Sequence, residues 1–124
     1  MKALLIIAHG SRRHQSNDEV TNIAKQIRTY EEHDFDIVES AFLELAETLI
    51  PTGIERCIKS GAKEIIVVPY FLNSGTHVTK DIPEIISAQK SLYPDINITL
   101  TRHLGASPVM LDLILQTASD TVIN

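Results

Sequence analysis

Lys2-Ala3-Leu4-Leu5-Ile6-Ile7-Ala8 is a nearly unbroken apolar run that stops at His9-Gly10. A strand with one wet face alternates apolar and polar residues, whereas a strand covered on both faces reads as continuous Val, Ile and Leu. The run therefore predicts a central strand of a parallel sheet. Three further runs follow at Phe35 to Leu43, Lys63 to Pro69 and Ile96 to Leu100. Between them the apolar spacing is helical: a helix from about Gln15 to Glu32 with Val20, Ile23, Ala24, Ile27 and Tyr30 on one face, one starting near Pro51 with Ile54, Cys57 and Ile58 inward and Gly61 at its end, and one from about Thr79 to Leu92 burying Ile82, Ile85 and Ile86. Ser107-Pro108 reads as a cap and first turn for a last helix lined by Met110, Leu113, Ile114 and Ala118. Strands alternating with helices predict an α/β fold: a three-layer sandwich with a four-stranded parallel sheet flanked by helices, as one domain over residues 1–124.

The composition narrows the function. Eleven Lys and Arg against sixteen Asp and Glu give a net charge of −5, so no overall positive field recruits nucleic acid or an anionic membrane. Cys57 is the only cysteine, which excludes an internal disulfide and any multi-cysteine metal site within one chain. The opening apolar run is too short for a signal peptide, and no run approaches the ~20 apolar residues of a spanning helix. A cytoplasmic protein is expected.

Ligands of open parallel sheets bind beyond the carboxyl ends of the strands. Those ends carry His9-Gly10-Ser11-Arg12-Arg13, then Glu44 and Glu47, then Tyr70-Phe71-Leu72-Asn73-Ser74-Gly75-Thr76-His77, then His103-Leu104-Gly105. His9 reads either as a core histidine bracing its loop or as a ligand beside a glycine that admits close approach. His77 reads either as a solvated loop histidine or as part of a site walled by Tyr70, Phe71 and Leu72, a surface suited to a flat organic ligand. Ser11 and Arg12, just before a helix, suit an anionic group. Glu44 and Glu47 read equally as acidic site residues or as a charged helix entry. His103 reads as a brace for the last loop, His14 and His33 as surface residues, and Cys57 as core.

At these residues the chain resembles the short single-lobe sirohydrochlorin cobaltochelatases of the CbiX type, relatives of ferrochelatase. The resemblance runs through Ala8-His9-Gly10-Ser11-Arg12, Phe42-Leu43-Glu44-Leu45-Ala46-Glu47, Pro69-Tyr70-Phe71-Leu72, Gly75-Thr76-His77-Val78, Asp81-Ile82-Pro83 and Leu104-Gly105. It implies a chelatase-like fold and ATP-independent insertion of a divalent ion, Co²⁺ first with Ni²⁺ or Fe²⁺ as alternatives, into sirohydrochlorin. It also implies that His9 and His77 handle the metal with Glu44 as the nearby acidic residue. The tetrapyrrole would meet Ser11, Arg12, Tyr70, Phe71, Leu72, Ser74, Gly75 and Thr76. The metal is substrate, no cofactor is permanently bound, and a homodimer would supply the second lobe of the larger chelatases. The family often places proline soon after the middle glutamate, whereas Thr48-Leu49-Ile50 precede Pro51 here, so Glu44 and Glu47 both stand as candidates.

Two rivals use the same residues. A histidine phosphatase also begins with a strand-end His-Gly, but it needs an arginine before the histidine and Ala8 stands there. A metal or tetrapyrrole carrier would use the two histidines without turnover.

Overall fold

The computed structural model describes residues 1–120, so the last four residues of the expected 1–124 domain lie outside the description. Its centre is β1 (Lys2–Ala8), hydrogen-bonded in parallel to β2 (Ile37–Phe42) on one side and to β3 (Glu64–Pro69) on the other, with β4 (Asn97–Leu100) beyond β3. The order is β2-β1-β3-β4, and the register sets Ala8 beside Phe42 and Ile7 beside Pro69. Ile6, Ile7 and Ala8 are all buried although they point to alternate faces, as their unbroken apolar run predicts.

One face is covered by α2 (Ile50–Lys59) and α3 (Ile82–Leu92), the other by α1 (His14–Arg28). Leu5, Ile7, Ile65 and Val67 pack against Ile50, Ile54 and Cys57 of α2 and Ile82 and Ile86 of α3. On the opposite face Ile6, Ala8, Val38 and Phe42 pack against Val20 and Ala24 of α1. The fold is the expected three-layer α/β arrangement. Gly53, inside α2, marks how closely that helix approaches the sheet, because a Cβ there would stand 2.7 Å from the Ala41 Cβ and 3.2 Å from Leu5 Cδ1.

The structure corrects the expected helix limits. α1 ends at Arg28 rather than Glu32, and Tyr30 is 71% exposed instead of facing the core. Arg28 turns its Nε–H to the Val38 carbonyl at 2.7 Å. His33 bonds the Ile27 carbonyl through Nε2 at 2.8 Å and accepts the Phe35 N–H at Nδ1. His33 is thus a half-buried brace for the chain reversal, not a free surface residue. The third crossover begins earlier than Thr79, as a π-helical turn His77–Asp81 that runs directly into α3.

The largest difference is at α4 (Val109–Asp120). Its expected inward stripe does not pack on the sheet: Leu113 and Ile114 are more than half exposed, and no residue of α4 is buried. Ile66 and Val68, register partners of Leu4 and Ile6 on the α1 face, are correspondingly only half-buried, because α1 packs on β1 and β2. Among the described residues, no helix is long and apolar enough to cross a membrane.

Cys57 is fully buried, and burial, with repulsion from Glu39 second, pushes its thiol from 9.0 up to about 12. An acid whose folded pKa is raised keeps its proton where the unfolded chain has lost it. Its contribution to stability is therefore intact below about pH 9 and declines as the pH rises toward 12. Iodoacetamide at pH 8 should leave the native thiol unmodified and alkylate it in guanidinium; rapid native alkylation would contradict the packing of α2. Gly53→Ala should cost stability by about 1–2 kcal/mol in urea unfolding, because overpacking outweighs the gain of ~1 kcal/mol in helix propensity.

Candidate active site

Three neighbouring strands deliver the site. His9 follows β1, Glu44 lies just beyond β2, and His77 opens the π-helical turn reached by the loop after β3. Between β1 and β3 the chain's strand order reverses direction, which is where open α/β sheets hold ligands. His9 Nε2 stands 3.2 Å from His77 Nε2 and 3.2 Å from Glu44 Oε1, and the two imidazole centroids are 4.6 Å apart.

The outer nitrogens determine what the inner ones offer. His9 Nδ1 lies 3.1 Å from the Gly10 carbonyl, and His77 Nδ1 lies 2.8 Å from Asp81 Oδ2. Asp81 Oδ2 only accepts, so His77 Nδ1 carries the hydrogen and the neutral ring turns an Nε2 lone pair toward His9, whereas His9 has an acceptor on each side, the Gly10 carbonyl at Nδ1 and Glu44 Oε1 at Nε2. His9 Nε2 thus has two acceptors beside it, the His77 lone pair and the Glu44 oxygen, which a proton on that nitrogen or a metal ion in its place would bridge. For imidazole nitrogens about 2.0–2.1 Å from a divalent ion, a separation of 3.2 Å corresponds to an N–metal–N angle of about 100°, between octahedral and tetrahedral values. Among the described residues no group of three or more His, Cys, Asp or Glu could hold a metal ion. Two imidazoles, with one carboxylate beside His9, leave most coordination positions open.

Gly10 sets the distance between His9 and Glu44. Its φ is +94°, a conformation that glycine adopts without strain, and a Cβ there would stand 1.7 Å from the Glu44 carbonyl oxygen. Leu43 N–H to Ala8 O and Glu44 N–H to His9 O continue the β1–β2 pairing past the strand ends, so the glutamate rides on the sheet itself. Leu45, next in line, has φ +58°, a strained value for a branched side chain. Asn17 of α1 ties the two loops together: it accepts the Ser11 N–H at 2.9 Å and donates to the Ser11 carbonyl at 2.8 Å and the Leu45 carbonyl at 3.3 Å.

The other candidates fall as follows. Glu47 faces a different cleft, shared with His14 and Arg56, so Glu44 is the glutamate beside the imidazoles. Ser11 Oγ accepts the Arg13 N–H, leaving its own hydroxyl hydrogen to donate, and Arg12 is exposed. The loop anchors thus occupy the Ser11 and Arg13 amides. Tyr70 and Leu72 are exposed, while Phe71 packs partly on the main core; all three border an apolar cavity of about 200 Å³ with Leu104, Met110 and Leu113. Ser74, Gly75 and Thr76 are exposed, and the Gly75 carbonyl receives the Val78 and Thr79 N–H groups at the start of the π-helical turn. His103 lies outside the imidazole pair, and its carbonyl accepts the Ala106 N–H of a short 3₁₀ turn. Asn17 and Asp81 carried no expected role. A spacing of four residues between His77 and Asp81 was the available signal for the second; nothing local signalled the first.

Comparison with known proteins identifies the family and the fold. The family model described as CbiX matches residues 3–121. The sirohydrochlorin cobaltochelatase of Methanocaldococcus jannaschii is 41% identical over 69% of this chain and 59% of its own length. The chloroplastic sirohydrochlorin ferrochelatase of Arabidopsis thaliana is 34% identical over 90% of this chain and 48% of its own. The chain thus spans about half to three fifths of these relatives. The crystal structure of the sirohydrochlorin chelatase SirB from Bacillus subtilis subspecies spizizenii in complex with cobalt superposes with a TM-score of 0.83 at 32% identity, over 97% of this chain and 50% of that one. A putative cobalamin biosynthesis CbiX protein from Marinobacter aquaeolei gives a TM-score of 0.81 at 25% identity and covers 97% of this chain and 96% of that one.

Gly10→Ala should force the Glu44 segment away from His9. The expected result is a loss of more than about 1 kcal/mol in thermal unfolding, together with weaker Co²⁺ binding. Unchanged Co²⁺ titration would show that the close backbone approach does not set the site.

Proposed function

The chain belongs to the CbiX family, and from that membership and the facing imidazoles we propose that it inserts a divalent metal ion into sirohydrochlorin without ATP. Co²⁺ is the first choice, with Ni²⁺ and Fe²⁺ as alternatives, since imidazole accepts all three and the relatives are named for cobalt or iron. The observation that carries the reading is the 3.2 Å approach of the two Nε2 atoms at the C-terminal edge of the sheet. A metal held by two imidazoles keeps positions free for incoming pyrrole nitrogens, as transfer requires and storage does not.

In this reading His9 and His77 hold the ion while the macrocycle displaces its remaining water. Two pyrrole N–H protons must then leave, and Glu44 accepts them, its carboxylate exposed to solvent for onward release. Tyr70, Phe71 and Leu72 present apolar surface to the ring, and Ser74, Gly75 and Thr76 offer polar contacts from the exposed loop. Sirohydrochlorin has a rim of carboxylates, to which Arg12 and the Ser11 hydroxyl are suited.

The unit proposed is one chelatase-like domain over residues 1–124, cytoplasmic, acting as a homodimer. Val109, Leu111, Leu113, Ile114 and Leu115 of α4 are all more than half exposed, and a helix apolar on most of its circumference requires a covering surface. The second copy is the proposed cover, because the chain matches only half the length of SirB, leaving a comparable mass of that protein without a counterpart here.

Purified protein, sirohydrochlorin and Co²⁺, mixed anaerobically and followed in the visible spectrum, should give many turnovers per chain. A single stoichiometric change would instead identify a carrier. His9→Ala and His77→Ala should each remove most of the insertion rate with the fold retained, and Arg12→Ala should chiefly raise KM for the tetrapyrrole. Sedimentation should find a dimer that Leu111→Glu with Leu115→Glu dissociates; a fully active wild-type monomer would overturn the dimer.

A further inference from the structure

Asp81 joins the π-helical turn to α3 with helical dihedrals of φ −64° and ψ −47°, so the helix is continuous there and its carboxylate caps no N-terminus. Its Oδ2 instead lies 2.8 Å from His77 Nδ1, a shorter contact than the 3.1 Å between His9 Nδ1 and the Gly10 carbonyl. The backbone is shaped around this pair. Ile82 N–H bonds the His77 carbonyl five residues back, and Pro83, one residue further on, has no N–H for the regular ladder. The widened turn places residue 77 and residue 81 side by side at the mouth of the cleft that also contains Glu44.

We propose that Asp81 is a positioning residue for metal insertion: by accepting the Nδ1–H of His77 it holds that ring in the tautomer and orientation that present the Nε2 lone pair to the ion. A neutral imidazole with no such partner distributes its hydrogen over both nitrogens, and a hydrogen on Nε2 blocks the metal. A carboxylate behind the ring removes that competing form and makes Nε2 a stronger donor. His9 has only a backbone carbonyl at Nδ1 and a competing acceptor, Glu44 Oε1, at Nε2. The two imidazoles are therefore unequal, with His77 the better fixed. The proposal rests on the chelatase reading for its purpose, but the restraint itself is independent of turnover.

The test uses full-length protein labelled with ¹⁵N-histidine. In long-range ¹H–¹⁵N spectra of the metal-free wild type, at a pH where the ring is neutral, His77 should be the Nδ1–H tautomer. Asp81→Ala should shift it toward Nε2–H. Titration with Co²⁺ alone should show affinity about 10–100-fold weaker in Asp81→Ala, while sirohydrochlorin binding, measured without metal, stays within about twofold of wild type. Asp81→Asn retains an accepting oxygen, so it should keep the Nδ1–H tautomer with an intermediate Co²⁺ affinity, and it serves if the alanine variant does not fold. An alanine variant that keeps the wild-type tautomer, or an alanine or asparagine variant with unchanged Co²⁺ affinity, overturns the proposal. Loss of sirohydrochlorin binding in step with Co²⁺ would mark a merely structural role and overturns it as well. A wild type that binds Co²⁺ but does not insert it would overturn the chelatase reading alone.

Discussion

The pairing of β1 on both of its edges is the constraint from which the rest follows. A parallel strand with parallel neighbours on either side places three carboxyl ends at one margin of the sheet, and the loops leaving them have no choice but to meet. His9 leaves the central strand, so it lies between whatever follows β2 and whatever follows β3. The continuation of backbone pairing through Leu43 and Glu44 extends that order beyond the strands themselves, and Gly10 permits the extension because no side chain stands between its Cα and the Glu44 carbonyl. The acidic group thus inherits the rigidity of the sheet. His77 arrives from the opposite side on a longer path and obtains its rigidity locally, from a π-helical turn and the carboxylate of Asp81.

That convergence has an electrostatic character as well as a spatial one. An acceptor lies behind each ring, the Gly10 carbonyl and the Asp81 carboxylate, and the inward nitrogens face one another with a carboxylate oxygen close by. A folded chain tolerates this arrangement at a half-exposed margin, where water and protons are at hand; within the core it would be prohibitive. The same exposure suits an ion that must arrive and depart. A closed shell of four protein ligands holds a metal as structure, whereas two imidazoles at an open edge would leave an ion free to depart.

Much of the fold was legible because buried parallel strands leave a continuous apolar signature. β1 and β3 were read within a residue, and α2 showed its Pro51 start, its Ile54 and Cys57 stripe and its Gly61 end. Local patterning said less about helix length. Tyr30 continued the apolar spacing of α1, yet the helix stops before it, because Arg28 and His33 find backbone carbonyls that hold the turn toward β2. For α4, periodicity identified a helix and an apolar face but supplied no neighbour for it, since spacing records that a face is apolar and not which surface covers it.

The order of residue types along the chain determined the architecture, the edge of the sheet that bears the chemistry, the two histidines and the resemblance to a chelatase family. These are matters of pattern, and pattern is linear. Only the tertiary structure set Glu44 rather than Glu47 beside His9, gave Asn17 its role in joining two loops, turned His33 from a surface residue into a brace, and placed Asp81 behind His77. Each of those outcomes depends on the direction of one side chain relative to a partner on another turn or strand. Such directions are set by hydrogen-bond geometry and close backbone approach in three dimensions, which no spacing of letters along the chain encodes.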